Sequence, residues 1–85
     1  MHIRYHKQFK KAFAKQPKPI QEKFFIVLDV FIQDQFDQQL RNHALSGEFR
    51  GVRSIDITGD VRVHYENAEG MIVLLMIGTH AQLYK

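Results

Sequence analysis

The stretch VRVHYENAEGMIVLLMI, residues 61–77, contains the clearest folding signal in the chain. Its first half alternates: Val61, Val63 and Tyr65 share one face and polar side chains lie between them, which is the period of a half-buried β-strand. The polar segment NAEG then predicts a turn, and MIVLLMI is apolar on both faces. Such a run is typical of a central strand that helices cover on one side. We therefore predict a β-hairpin here.

A further strand precedes this hairpin. The segment VRSIDI, residues 52–57, has the same alternation and is joined to residue 61 by the turn sequence TGD. The stretch before it, residues 35–51, is polar and weakly periodic. It predicts a helix extension or a short turn followed by a loop.

The N-terminal part of the chain predicts one strand and two helices. HIRYH, residues 2–6, alternates like a short strand, whereas residues 7–16 space Phe9, Ala12 and Phe13 at helical intervals. Prolines end that helix and begin the next, which should bury Ile20, Phe24, Val27, Leu28 and Phe31. The predicted fold class is α+β in the order β-α-α-β-β-β, with two antiparallel helices packed on a small, mainly antiparallel sheet.

Length and composition restrict the class of protein. With 85 residues the chain is one domain, residues 1–85, of modest core size. It has no cysteine, which excludes disulfides and thiolate metal sites. The longest apolar run, residues 71–77, is far shorter than the ~20 residues that span a bilayer, and no secretory signal pattern opens the chain. We expect a cytoplasmic protein without a membrane partner.

The charge is concentrated at the N-terminus. The whole chain has a net charge of +3, yet residues 1–23 contain seven lysines and arginines and a single glutamate. A basic segment of this kind favours a phosphate-rich partner or an acidic protein. The alternative is a solvated helix face without a ligand. The lysines in question are Lys7, Lys10, Lys11, Lys15 and Lys18.

The histidines, acids and arginines suit proton transfer and binding of anions. None of the five histidines has a metal-ligand spacing such as HExxH, so neither a metal nor another cofactor is expected. Metal-free phosphodiester transfer in RNA needs a base, an acid and cationic donors. Each candidate also has a structural explanation, since Asp60 suits a turn and Arg53 could pair across the sheet. The candidates are His43, Arg50, Arg53, Asp56, Asp60, His80 and Tyr84.

Two C-terminal segments resemble the RelE/ParE superfamily of bacterial type II toxins, and most closely its YafQ-like branch. Residues 45–53 match the pattern L-x-G-x-aromatic-basic-G-x-R, and residues 60–65 match D-x-x-[IV]-x-Y. Residues 78–84 match the closing pattern G-T-H-x-x-L-aromatic. Together with the element order, the resemblance covers essentially the whole chain.

The resemblance implies a ribosome-dependent endoribonuclease that cleaves mRNA in the A site of the 70S ribosome. It implies no metal, and inhibition by a cognate antitoxin protein. His80 then matches the principal general acid or base, His43 a second catalytic histidine and Asp60 a catalytic acidic position. Tyr84 matches the aromatic residue that stacks on RNA, and Arg53 a residue that stabilises phosphate charge. The N-terminal lysines would contact ribosomal RNA.

The chain departs from the family pattern at two positions. Asp56 stands where a further histidine is usual, and Val61 where a tryptophan is frequent. The missing histidine could shift proton transfer to His43, or to His64 if that side chain faces the same side. Arg50 is a further candidate. The alternative reading is a non-enzymatic toxin like the gyrase-inhibiting ParE branch, which shares the fold but lacks the acid and base residues.

Overall fold

The computed structural model describes residues 1–84. Its regular elements are five strands, three α-helices and two 3₁₀ turns. The strands are β1 (His2–Tyr5), β2 (His43–Ala44), β3 (Arg53–Asp56), β4 (Val61–Ala68) and β5 (Met71–Thr79). The helices are α1 (Lys7–Ala14), α2 (Lys18–Gln33) and α3 (His80–Leu83), and the 3₁₀ turns are Gln38–Leu40 and Gly47–Phe49.

All five strands form one sheet in the order β1-β5-β4-β3-β2. Neighbouring strands are antiparallel except β1, which runs parallel to β5. The predicted α+β class is confirmed, and β2 and α3 are additions to the predicted order. Both additions are too short to produce a periodic pattern, since β2 has two residues and α3 has four. The central strand is β4, and β5 lies between β4 and β1.

The two long helices cover one face of the sheet. Phe9 of α1 and Phe24, Val27 and Phe31 of α2 are buried in the same core as the inward residues of β4 and β5. Ile20 and Leu28 pack at the margin of this core. The helical stripes predicted from the sequence are therefore confirmed. Among residues 1–84, no helix is long and apolar enough to cross a membrane.

An extra residue interrupts the pairing of β4 with β5. Tyr65 lies opposite Leu74 and His64 lies opposite Met76, so Leu75 has no partner of its own on β4. Such a β-bulge shifts the alternation of one strand relative to the other. As a result Leu74 and Ile77, three positions apart, both point into the core.

Tyr65 fixes the irregular segment between α2 and β2. Its buried ring packs edge-to-face on Phe31, with ring centroids 5.1 Å apart. The Tyr65 hydroxyl accepts hydrogen bonds from Gln35 Nε2 at 2.9 Å and from Asn42 Nδ2 at 2.6 Å. Asn42 Nδ2 also donates to the Gln35 carbonyl oxygen at 3.0 Å. One buried phenol thus joins both ends of this segment to the central strand β4.

We expect Tyr65→Phe to lower the free energy of unfolding by about 1–3 kcal/mol, because both amide donors lose their acceptor while the ring stays in place. Urea unfolding followed by circular dichroism measures the change. Tyr5→Phe is the matched control, since Tyr5 is 36% exposed. Equal stabilities of the two variants would show that the Tyr65 hydroxyl has no anchoring role.

Candidate active site

The face of the sheet opposite α1 and α2, here called the outer face, carries a row of three polar side chains and one methionine. His43 of β2, Ser54 of β3, His64 of β4 and Met76 of β5 are successive cross-strand partners. Directly paired residues point to the same side of a sheet. Since the neighbours of His64 in β4 point into the core, the whole row lies on the outer face.

His64 is buried within this face. It is only 3% exposed, and its ring packs against Phe49 and Tyr84 at centroid distances of 5.7 and 5.4 Å. Its Nε2 lies 3.2 Å from the Tyr84 hydroxyl. Burial, and then the nearby charges of His43 and Arg62, lower the pKa of His64 below its ordinary value of 6.5. His64 is therefore a neutral imidazole at neutral pH.

A capping box sets the direction of the chain where β5 ends. The Thr79 side chain accepts from the Gln82 backbone N–H at 3.2 Å, and Gln82 Oε1 accepts from the Thr79 backbone N–H at 2.8 Å. Gly78 makes room for this arrangement, because a Cβ there would lie 2.8 Å from Gln82 Oε1. The turn places His80 at the start of α3.

His80 is exposed, and its ring packs at a tilt of 42° against Tyr84 at the end of the same short helix. Its ring centroid is 4.6 Å from that of Tyr84, and Tyr84 in turn lies 5.2 Å from Phe49. Phe49, His64, His80 and Tyr84 thus form one aromatic cluster on the outer face. His80 is its exposed member. A ligand can reach this imidazole without any rearrangement of the cluster.

Arg62 is the guanidinium group that flanks the cluster. It lies two residues before His64 in β4, between Asp56 of β3 and Gly78 of β5. Arg62 Nε donates to Asp56 Oδ1 at 3.2 Å, and Arg41 Nε lies 3.6 Å from Asp56 Oδ2. The side chain of Arg62 keeps 25% of its area exposed. The sequence motifs did not identify Arg62 as a site residue, although it lies on the same face of β4 as His64.

Arg53 lies on the other face of the sheet. Its partner across the sheet is the core residue Tyr65, so its side chain points toward the helices. Its Nε donates to Asn42 Oδ1 at 2.8 Å, and its guanidinium lies 5.2 Å from the ring centroid of Phe36. The expectation that Arg53 serves the same site as the histidines is therefore corrected. Arg53 matches the sequence pattern, but it lies one residue before Ser54 in β3. Its side chain therefore points to the face opposite that of Ser54 and His64.

The remaining candidates surround the outer face. Asp60 is exposed in the turn before Val61, whose partner is Thr79, so Asp60 and His80 lie at the same end of the sheet. His43 is exposed, and its Nδ1 lies 2.9 Å from the Arg41 carbonyl oxygen. Because a carbonyl only accepts, Nδ1 is the donor in this contact. Arg50 is exposed directly after Phe49.

The basic surface reaches this site along α1. All five lysines named from the sequence are exposed: Lys7, Lys10, Lys11, Lys15 and Lys18. An open groove of about 420 Å³ separates α1 from the end of β5, and Lys11, Lys15, Met76 and Gln82 line it. Since Gln82 belongs to the same short helix as His80, this groove reaches the helix that begins with His80.

The arrangement is suited to proton transfer next to an anion. His80 and His43 present reachable imidazoles, Arg62 supplies a positive charge, and Asp60 a carboxylate at the same end as His80. Within residues 1–84, no three histidine, cysteine, aspartate or glutamate side chains are grouped so that they could hold a metal ion.

Comparisons with known proteins agree on one type of toxin fold. A crystal structure of YafQ from E. coli strain BL21(DE3) superposes with a TM-score of 0.83 at 21% identity, covering 98% of this chain and 97% of that chain. The E. coli DinJ-YafQ toxin-antitoxin complex gives 0.80 at 22% identity, over 98% and 96%. The RelB-RelE antitoxin-toxin complex from Methanococcus jannaschii gives 0.76 at 15% identity, over 95% and 94%.

Sequence comparison is more specific than the shared fold. A search of curated proteins found no significant match. The family described as "bacterial toxin of type II toxin-antitoxin system, YafQ" matches residues 1–85, the whole chain. The protein therefore belongs to the YafQ family of bacterial type II toxins.

Proposed function

We propose that this toxin is a ribosome-dependent endoribonuclease that cleaves mRNA in the A site. The observation that carries the proposal is His80, an exposed imidazole held at the end of β5 by a capping box and packed against Tyr84. A rigid strand end is a suitable support for an acid or base that must meet a scissile phosphate. His43 and Arg62 point to the same face.

The reaction that fits these groups is attack of a ribose 2′-OH on the adjacent phosphorus. The 2′ oxygen loses its proton to a base, the bond from phosphorus to the 5′ oxygen breaks, and an acid protonates that oxygen. The products are a 2′,3′-cyclic phosphate and a 5′-OH. We assign His80 as the principal acid or base and His43 as the second histidine.

Arg62 takes the place that the sequence motif gave to Arg53. Negative charge grows on the phosphate oxygens in the transition state, and a prepositioned cation stabilises it. The bond to Asp56 holds the Arg62 guanidinium near the aromatic cluster while leaving part of it exposed. Asp60 is proposed as the acidic residue of the site, and the Tyr84 ring as the surface on which a base stacks.

The partners follow from the family and from the charge. The solved DinJ-YafQ and RelB-RelE structures each contain a toxin with its antitoxin. We propose a cognate antitoxin for this chain as well, with an acidic segment that covers part of the α1 lysines. In its absence those lysines would contact ribosomal RNA. Both roles require a cytoplasmic protein.

His80→Ala should reduce cleavage about 10²–10⁴-fold, the usual effect of removing a general acid or base. The measurement is cleavage of mRNA on programmed ribosomes, with 5′ ends mapped to the A-site codon. His2→Ala is the matched control, because His2 is also exposed but pairs with Met71 at the opposite end of β5.

Full cleavage by the His80→Ala protein would contradict the assignment. In cells, DNA breaks without loss of mRNA would instead favour the gyrase-binding alternative.

The Lys10→Gln, Lys11→Gln double variant should bind ribosomes with a weaker salt dependence. For each phosphate that is no longer neutralised, the plot of log affinity against log salt should become shallower by roughly 0.7–0.9. Titrations between low and moderate salt measure the slope. Lys23→Gln, an exposed change on α2, is the control and should keep the parent slope. An unchanged slope in the double variant would exclude these lysines from the ribosome interface.

A further inference from the structure

His64 is buried, and it makes a polar contact that has no part in the proposed reaction. At 3% exposure, the His64 ring is covered by Phe49 and Tyr84, so an RNA phosphate has no access to it. Buried polar atoms are nearly always hydrogen-bonded, and Nε2 of this ring meets the Tyr84 hydroxyl at 3.2 Å. From the sequence, His64 was a candidate for proton transfer. Its burial favours a different role.

The C-terminal helix needs an external support. α3 contains four residues, His80–Leu83, and so short a helix is not stable on its own. The capping box secures its first turn. At its other end, the Tyr84 backbone N–H donates to the His80 carbonyl oxygen at 3.1 Å, while the Tyr84 side chain contacts Phe49 and His64. The side-chain contacts of Tyr84 therefore join the end of α3 to the sheet.

We propose that His64 is a positioning residue: by hydrogen bonding the Tyr84 hydroxyl it holds the Tyr84 ring, and with it the adjacent imidazole of His80, over the outer face of the sheet. His64 acts on the reaction only through these two residues. The catalytic part of this inference rests on the proposed endoribonuclease function. The structural part, the attachment of α3 to β4, does not.

Either partner can supply the hydrogen of this bond. A neutral imidazole has one N–H and one acceptor nitrogen, and a phenol both donates and accepts. In one tautomer of His64 the Tyr84 O–H donates to Nε2, and in the other the Nε2–H donates to the phenol oxygen. The attachment of the Tyr84 ring depends on the bond and not on which partner donates.

Four variants test the positioning role on programmed ribosomes. His64→Leu and Tyr84→Phe each remove the bond, and each should lower the single-turnover cleavage rate about 3–10-fold with ribosome affinity unchanged. The double variant should lose no more than the stronger single variant, since both changes remove the same interaction. His64→Gln should recover most of the rate, because its side-chain amide can reach the place of Nε2 and hydrogen bond the phenol.

Ser54→Ala is the control for general disturbance of the outer face. Ser54 is the buried neighbour of His64 in β3, and its hydroxyl has no hydrogen-bond partner among the described residues. Removing it should leave the rate unchanged. A reduction in Ser54→Ala equal to that in His64→Leu, or strictly additive reductions in the double variant, would overturn the proposal. So would disappearance of one limb of the pH–rate profile in His64→Leu, because His64 would then transfer the proton itself.

Hydrogen exchange tests the attachment without any RNA. In His64→Leu and Tyr84→Phe the backbone amide of residue 84 should exchange about 3–10-fold faster, while the amides of β4 keep the parent rates. Unchanged exchange at residue 84 would reject the positioning role whatever the activity. Faster exchange in a protein whose parent form cleaves no RNA would reject the endoribonuclease and leave the attachment of α3 in place.

Discussion

The side chains of β4 point alternately into the core and to the outer face, so one strand contributes to both the core and the candidate site. Val63 and Tyr65 enter the core, and the intervening Arg62 and His64 point to the outer face. The inward residues pack against both long helices, and Tyr65 also holds the segment that leads to β2. Because all of these side chains belong to one central strand, stability and site geometry rest on the same register.

The site histidines differ in environment rather than in chemistry. Burial lowers the pKa of His64, whose Nε2 lies within hydrogen-bond distance of the Tyr84 hydroxyl, whereas His80 and His43 are exposed to a ligand. The same contrast applies to the arginines. Arg62 is held next to the site by Asp56, while Arg53 serves the packing of the opposite face. Residue type alone does not assign these roles.

The sequence predicted those elements in which apolar residues recur at a regular interval. The buried stripe of α2 and the hairpin of β4 and β5 repeat over many residues, and the structure agrees with both. The two-residue β2 and the four-residue α3 contain too few positions to show any period. Arg53 was placed by a motif, and a motif carries no information on which side of the sheet a residue faces. Arg62 was missed for the same reason.

Beyond the bulge at Leu75, the direction of each side chain of β5 depends on the length of the strand more than on its composition. Exchanging one apolar residue for another within residues 71–77 alters packing locally and leaves every later residue pointing as before. Deleting one residue between Ile77 and Thr79 would instead bring His80 opposite Val61, which points into the core, so that this imidazole would face the helices. In this lineage, gaps within β5 should therefore be rarer than substitutions.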